Sequence, residues 1–452
     1  MTLIAAAAIP LVAFTGLAVD TARGYLIKTR LSYALDSAAL AGGRVMFDVT
    51  ARDAAIQKFF DANFPSGYMG ATLTGPTTTV NTVDQTIKLD ASVTLDTTLM
   101  SVLGVDDVEV AASAEVQRQV KGMELALVLD NTGSMRYTAS GSSQSKVEDL
   151  KDASLQLVNI LYAGREEIDD FYMSIVPYTS MVNVGQQHSG FLTGLNQAAY
   201  SPAVWKGCVE ARHLNTRDRN DDTPSDEGFV PAYWPQTATS LDWPPIVDTN
   251  ESNARGPNAN CADPIQPLIK AKTDVEDVLN AMVYWRHGGT MGNAGLVWGW
   301  RTISPRWRGL WVGGDDSSTL PKDYLADLLA ASQPLSDKAV VMMTDGQNNI
   351  VYNHYSAYGM RQWNRLGSTS NSGIKAEINS RMLETCDLMK DEGIIIYTIT
   401  FDTEGSSNQA IRDTYEDCAT TPGHYFNSPG EDELTAAFIA IGTQLSNLRL
   451  AK

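Results

Sequence analysis

Cysteine and histidine are both scarce in this chain, and each scarcity removes a class of chemistry. Only four cysteines, Cys208, Cys261, Cys386 and Cys418, occur in 452 residues, and no two stand as C-x-x-C. A zinc ribbon is therefore not expected, and two disulfides in an exported chain account better for the four than unrelated buried thiols do. Pairing of neighbours, Cys208 with Cys261 and Cys386 with Cys418, closes loops of tens of residues, each bridge contributing roughly 3 to 4 kcal/mol on a chain-entropy basis. The five histidines have no recognisable catalytic partners in the sequence, and no Walker P-loop occurs. Basic residues are outnumbered too: 34 Lys and Arg against 53 Asp and Glu give a formal charge of −19. Binding a polyanion needs clustered Lys and Arg, which are not found, so nucleic acid is not expected as a partner.

What is present is enough apolar material for more than one domain: 43% of residues are hydrophobic and nine are Trp. The chain is organised around Met123 to Met135, MELALVLDNTGSM. The unbroken apolar run Leu125 to Leu129 suits a fully buried parallel strand, and it breaks at Asp130 into a short loop rich in hydroxyls. Asp130, Thr132 and Ser134 alternate, so in an extended turn their oxygens converge on one point, and hard oxygen ligands suit Mg²⁺, Mn²⁺ or Ca²⁺. Two later stretches bear on the same point. HGGTMGNAGLVWGWRTISP, 287–305, puts Thr290 on a Gly-rich loop before a helix, and VVMMTDGQN, 340–348, is a second buried strand ending in Asp345 and Gly346.

A D-x-[ST]-x-S loop, a distant Thr and a distant Asp-Gly, in that order, together resemble the metal-ion-dependent adhesion site of von Willebrand factor A domains. The resemblance implies a metal held by Asp130, Thr132, Ser134, Thr290 and Asp345, the hydroxyls approaching it directly and the carboxylates often through water. It also implies a doubly wound, mostly parallel α/β sheet with these loops at the strands' carboxyl ends. Two other readings stay open. The strand ending in Asp is similar to the first motif of haloacid-dehalogenase-type phosphatases, which would make Asp130 a nucleophile, although Thr132 stands where that family has a second Asp and cannot serve as a general acid. Alternatively, the domain keeps the fold as a metal-free scaffold, with each residue merely capping a helix or closing a turn.

At the start, Thr2 to Val19 carries no charge and is just long enough to cross a bilayer as a transmembrane helix. Arg23, Lys28 and Arg30 follow it and no basic residue precedes it, opposite to a simple positive-inside count, which points to a missing basic leader; a cleaved signal peptide is the rival. A helical period continues to about Phe64, so one long helix is expected. The segment GLAVDTARGYLIKTRLSYALDSAALAGG, with Gly-x-x-x-Asp after the apolar run, resembles TadE/TadG-like proteins of tight-adherence (Flp) pilus assembly, as does the run GLVWGWRTISP. No prepilin-peptidase signal accompanies it.

The expected organisation is an anchor and long amphipathic helix over 1–64, a small pilin-like β-rich module over 65–120, and an A-type domain over 121–450. Thr and Val alternation in TIKLDASVTLDTT and VEVAASAEVQRQV predicts antiparallel strands in the module. In the A-type domain, helices are predicted at 144–163, 265–285, before Cys418 and at 431–448, and strands at DDFYMSIVPY, MVNV and GIIIYTITF. About 185–264 reads as a loop-rich insertion held by a staple more than by a core. Within it, Asp218, Asn220 and Asp222 imitate an EF-hand start, but positions six and twelve are Thr223 and Phe229 where Gly and Glu belong. Trp234 and Trp243 offer a contact patch or loop packing, while Val297, Trp298 and Trp300 read as core. The resemblances imply a cell-envelope protein, single-pass in the inner membrane with its bulk periplasmic or surface-exposed. Its implied partner is a protein of pilus assembly or of the surface that supplies a carboxylate to the metal, by binding and without turnover.

Overall fold

The computed structural model describes residues 2–46, 49–81, 86–98, 100–117, 121–236 and 241–450, by backbone alone at 2–14, 102, 103, 117, 449 and 450. The chain divides into two compact units, residues 1–120 with 450–452, and residues 121–449.

In the first unit, helix α1 (Thr2–Arg44) is followed by α2 (Val49–Asn63) and by a three-stranded antiparallel sheet, β1 (Thr72–Asn81), β2 (Thr86–Asp96) and β3 (Asp107–Gln117), in that order. Two helices thus stand where the sequence predicts one long helix to Phe64. Gly42 explains their close packing, because a Cβ there would sit 2.6 Å from the Ile56 side chain of α2. The β2 strand alternates buried Ile87, Leu89 and Val93 with more exposed neighbours, and these pack on Ile27, Leu31 and Leu35 of α1 and Phe60 of α2. The Asp of Gly-x-x-x-Asp plays a structural part. Buried Asp20 accepts the backbone N–H groups of Thr98 (3.2 Å) and Met100 (3.0 Å), closing the turn after β2. The expected membrane-crossing run, 2–19, is helical, but the side chains of 2–14 lie outside the described residues. Among the described residues no helix is long and apolar enough to cross a membrane.

The second unit is a doubly wound mixed α/β domain. Strands β4 (Gly122–Asp130), β5 (Phe171–Tyr178), β7 (Ser336–Thr344), β8 (Ile395–Phe401) and β9 (Tyr425–Ser428) run parallel in the order β9-β8-β7-β4-β5. The antiparallel strand β6 (Gln266–Ile269) and the two-residue strand Val182–Asn183 finish the β5 edge. Because β4 is covered on both faces, all nine of its residues are buried, which is why it reads as a continuous apolar run. Leu125, Leu127 and Leu129 face α3 (Lys146–Tyr162), α4 (Lys272–Ala281) and α8 (Glu431–Leu450). Ala126 and Val128 face α5 (Gly292–Ile303), α6 (Asn371–Asp391) and α7 (Gln409–Cys418).

Two expectations need correction. The helix predicted from 265 begins only at Lys272, since Gln266–Ile269 pairs with β5 as an edge strand. The insertion has a core as well as a staple: Phe191, Tyr200, Trp205 and Phe229 are buried in one cluster with Trp298 and Trp307. Its EF-hand-like loop presents carbonyl oxygens to arginines. Arg212 donates to the carbonyls of Asp222, Thr223 and Glu227, and Arg301 to those of Arg217 and Asn220, while the Asp218 and Asp222 carboxylates are taken by Arg381 and Arg306. Cys208 is bonded to Cys261 and Cys386 to Cys418. Trp234, Trp298 and Trp300 are buried, and Trp243 is half-buried.

Candidate metal centre

The carboxyl ends of β4 and β7 lie side by side, in register from Ser336 with Gly122 to Met343 with Leu129, so the loops that follow open at one edge. The Asp130 carboxylate, fully buried, turns back on its own loop: Oδ1 accepts the Thr132 N–H at 2.8 Å, and Oδ2 accepts the Thr344 hydroxyl at 2.8 Å. Beyond it the hydroxyls form a chain. Thr132 Oγ1 lies 2.9 Å from Ser134 Oγ, and Ser134 Oγ donates to Asp345 Oδ1 at 2.6 Å. Gly133 makes this turn possible, since a Cβ would come within 2.5 Å of the Arg286 carbonyl oxygen.

Four of the five residues singled out from sequence thus meet in one hydrogen-bonded cluster. Thr290, buried, reaches the same edge by another route: Gly289–Thr290 forms a two-residue antiparallel pair with Asn349–Ile350, four residues beyond Asp345, and Met291 N–H donates to the Thr179 carbonyl. The insertion braces the platform. Asp263 Oδ2 accepts from Asn131 Nδ2 (3.2 Å) and the Val283 N–H (2.9 Å), and Asn260 Nδ2 donates to Ser180 Oγ (2.9 Å).

Two participants escape a reading of the sequence. Lys146, the first residue of α3, sends its ammonium to Asp345 Oδ2 at 3.2 Å and to Asp402 Oδ2 at 2.7 Å. A lysine opening a helix is disfavoured by the helix dipole, and that misfit is its signal. Asp402 follows β8 as Asp130 ends β4 and Asp345 follows β7; three apolar strands each running into Asp is the pattern that could have found it. Burial, and then the neighbouring Asp345, pushes the Asp130 carboxyl up to about 7. Burial also raises Asp345 despite the attraction of Lys146. The Lys146 pKa is raised, because burial, which acts against the ammonium, is outweighed by Asp345 and Asp402.

The donor set fits a hard divalent cation. Two carboxylates, Asp345 and Asp402, face one ammonium, Asp130 adds a third carboxyl at the same edge, and the remaining donors are hydroxyl oxygens. Among the described residues no three His, Cys, Asp or Glu side chains gather into a metal-holding group, so an ion here would lean on the hydroxyls of Thr132 and Ser134 beside the carboxylates.

The parallel order β9-β8-β7-β4-β5 with its antiparallel edge, and the hydroxyl loops at the strands' carboxyl ends, define a doubly wound, mostly parallel α/β domain. At the other end, residues 1–45 match the family described as "Putative Flp pilus-assembly TadE/G-like". No curated protein matches it. Among solved structures it is similar to the vWF domain of the type V pili tip protein Mfa5 from Porphyromonas gingivalis, at 10% identity over 74% of this chain and 97% of that one, TM-score 0.38. It is also similar to the PilB minor pilin from Streptococcus sanguinis, at 12% identity over 83% and 78%, TM-score 0.37. Proximal thread matrix protein 1 from the mussel byssus, with a zinc-occupied MIDAS motif, matches at 11% identity over 73% of this chain, TM-score 0.35, and this chain spans about half of that protein (47%).

Proposed function

We propose that this protein is a divalent-cation-dependent binding protein of the bacterial cell envelope, acting in Tad/Flp pilus assembly or surface adhesion. The cluster of Asp130, Thr132, Ser134 and Asp345 carries the reading. It gathers oxygens and an uncompensated negative charge at the rim of a rigid sheet, an arrangement that is costly unless a cation completes it. A bound Mg²⁺ or Mn²⁺ would supply a coordination position for a carboxylate from a protein partner. In this chain Asp130 and Asp345 supply charge, Thr132, Ser134 and Thr290 supply hydroxyls, and Gly133 lets the loop close. The apolar run 2–19 supports anchorage in the inner membrane with the bulk of the chain outside the cytoplasm, and the two disulfides support an oxidising compartment.

Binding is favoured over phosphoryl chemistry because Asp130 is fully buried with both oxygens engaged, a poor posture for a nucleophile. Titration calorimetry of the full chain with MgCl₂ and MnCl₂ tests the reading. Saturable binding is expected, abolished in Asp130→Ala and Thr290→Ala variants that keep their circular dichroism. Absence of binding heat in the wild type, or metal-dependent hydrolysis of a generic phosphate ester lost in Asp130→Asn, overturns it.

A further inference from the structure

We propose that Lys146 is the resident cation of the metal site, holding Asp345 until a divalent ion claims that carboxylate, and that Asp402 is the acceptor to which the lysine then transfers. This inference rests on the metal-binding reading above. The Lys146 side chain is only 7% exposed and its ammonium touches two carboxylates at once, Asp345 Oδ2 at 3.2 Å and Asp402 Oδ2 at 2.7 Å. The two are unlike. Asp345 has a fully buried side chain and its other oxygen is taken by Ser134, within the cluster that faces the ion. Asp402 is 30% exposed, is bound by none of the hydroxyl loop, and makes the shorter contact.

That asymmetry matters energetically. A buried ammonium stripped of its only carboxylate costs several kcal/mol, which would make exchange of cations at Asp345 prohibitive. With Asp402 beside it, the ammonium moves fully onto a partner it already touches, and Asp345 is released without stranding a charge. The position of Asp402 is itself held against local preference. Its backbone has φ of +50°, a region that non-glycine residues enter at a cost, and its N–H is fixed on the Ser428 carbonyl of β9 at 2.8 Å. Lys146 also sits at the first residue of α3, where the helix dipole opposes a positive charge, so its placement follows from the carboxylates and not from the helix.

Calorimetric titration of the full chain with MgCl₂, with urea melts in EDTA alongside, tests the exchange. In Lys146→Met the competing charge is gone, and Mg²⁺ is expected to bind about tenfold tighter or more while the metal-free protein loses stability. A merely structural lysine would give weaker binding, not tighter. In Asp402→Asn the ammonium has Asp345 alone, and binding is expected to weaken about tenfold; in the Lys146→Met background the same change is expected to matter less than about twofold. Unchanged or weaker affinity in Lys146→Met, or an Asp402→Asn effect equal in both backgrounds, overturns the proposal. If Lys146→Met does not fold, Asp402→Asn alone decides: weaker binding supports the exchange and unchanged affinity refutes it. Absence of binding in both the wild type and Lys146→Met overturns the metal reading itself, and the exchange with it.

Discussion

Replacing Asp130 by Asn isolates the electrostatic cost of the site, and its sign can be worked out beforehand. The carboxyl titrates near 3.8 when exposed and at about 7 in the fold, where burial and Asp345 oppose its charge. Below about 4 the folded and unfolded chains both hold the proton, and this group favours neither. As pH rises from there to about 7, the unfolded chain gives up the proton first, so the folded state loses stability progressively and the loss is complete above that value. The difference corresponds to roughly 4 kcal/mol as a ceiling, and relaxation of the loop brings the expected effect to about 2 kcal/mol. Asparagine keeps the geometry. Its amide oxygen can accept the Thr132 N–H. The Thr344 and Tyr178 hydroxyls that faced Oδ2 can instead accept from the amide, each having another acceptor within reach, the Gly346 carbonyl at 3.1 Å and the Met343 carbonyl at 3.0 Å. In urea melts with EDTA, Asp130→Asn is therefore expected to equal the wild type near pH 4 and to exceed it by about 2 kcal/mol at pH 8. Added Mg²⁺ should stabilise the wild type and leave the variant unmoved. An Asn variant weaker than the wild type at pH 8 in EDTA, or one stabilised by Mg²⁺ to the same degree, refutes the reasoning.

Other perturbations test other parts of the structure. Gly133→Ala forces a Cβ to within 2.5 Å of the Arg286 carbonyl, so the hydroxyl loop must shift; calorimetry should show Mg²⁺ affinity falling at least tenfold, for a stability loss of about 1 to 3 kcal/mol. Arg301→Met removes the donor to the Arg217 and Asn220 carbonyls and leaves them part-buried without it, at about 1 to 3 kcal/mol, read as faster amide exchange through 217–227. Added Ca²⁺ should not slow exchange in that loop in the wild type, since guanidiniums already take its carbonyls. Replacing Cys208 and Cys261 by Ser opens a loop with a sequence separation of 53 and should cost about 4 kcal/mol in urea melts under oxidising conditions.

The parallel strands are legible in the sequence because burial on both faces leaves no polar alternation, and the runs ending at Asp130 and Asp345 stand out that way. The helix break after Gly42 is not, because the apolar period of α1 resumes in α2 and a periodic pattern does not record a change of axis. Residues 266–269 merge with the following helix for a related reason: four apolar or amide residues beside a helix carry no period of their own, and only pairing with β5 shows them to be a strand. The insertion hides its core because Phe191, Tyr200, Trp205 and Phe229 are scattered without periodicity and meet only in the fold, around Trp298 of α5 and Trp307. Of the site, each loop is readable by itself. The neighbourhood of β8 is not, since nothing in the order of residues says that Phe401 and Thr344 end adjacent strands.

That adjacency is what gives the acidic residues their meaning. An Asp at the end of one buried strand is an ordinary turn former, and its charge is met by water or by the next helix. Three such residues at the ends of β4, β7 and β8, neighbours in the sheet, cannot all be solvated, and two of them are fully buried at the side chain. Their repulsion has few outlets. A proton can be retained, as the raised Asp130 carboxyl shows; an internal ammonium can be recruited, as Lys146 shows; or an external cation can be admitted between the hydroxyls of Thr132 and Ser134. The first two compensate only part of the charge, and they leave the third as the arrangement in which every carboxylate is both ionised and paired. On the proposed reading, affinity for a divalent ion would come less from any single ligand than from the parallel sheet, which delivers three carboxylates to one edge whether or not the chain supplies enough positive charge to balance them.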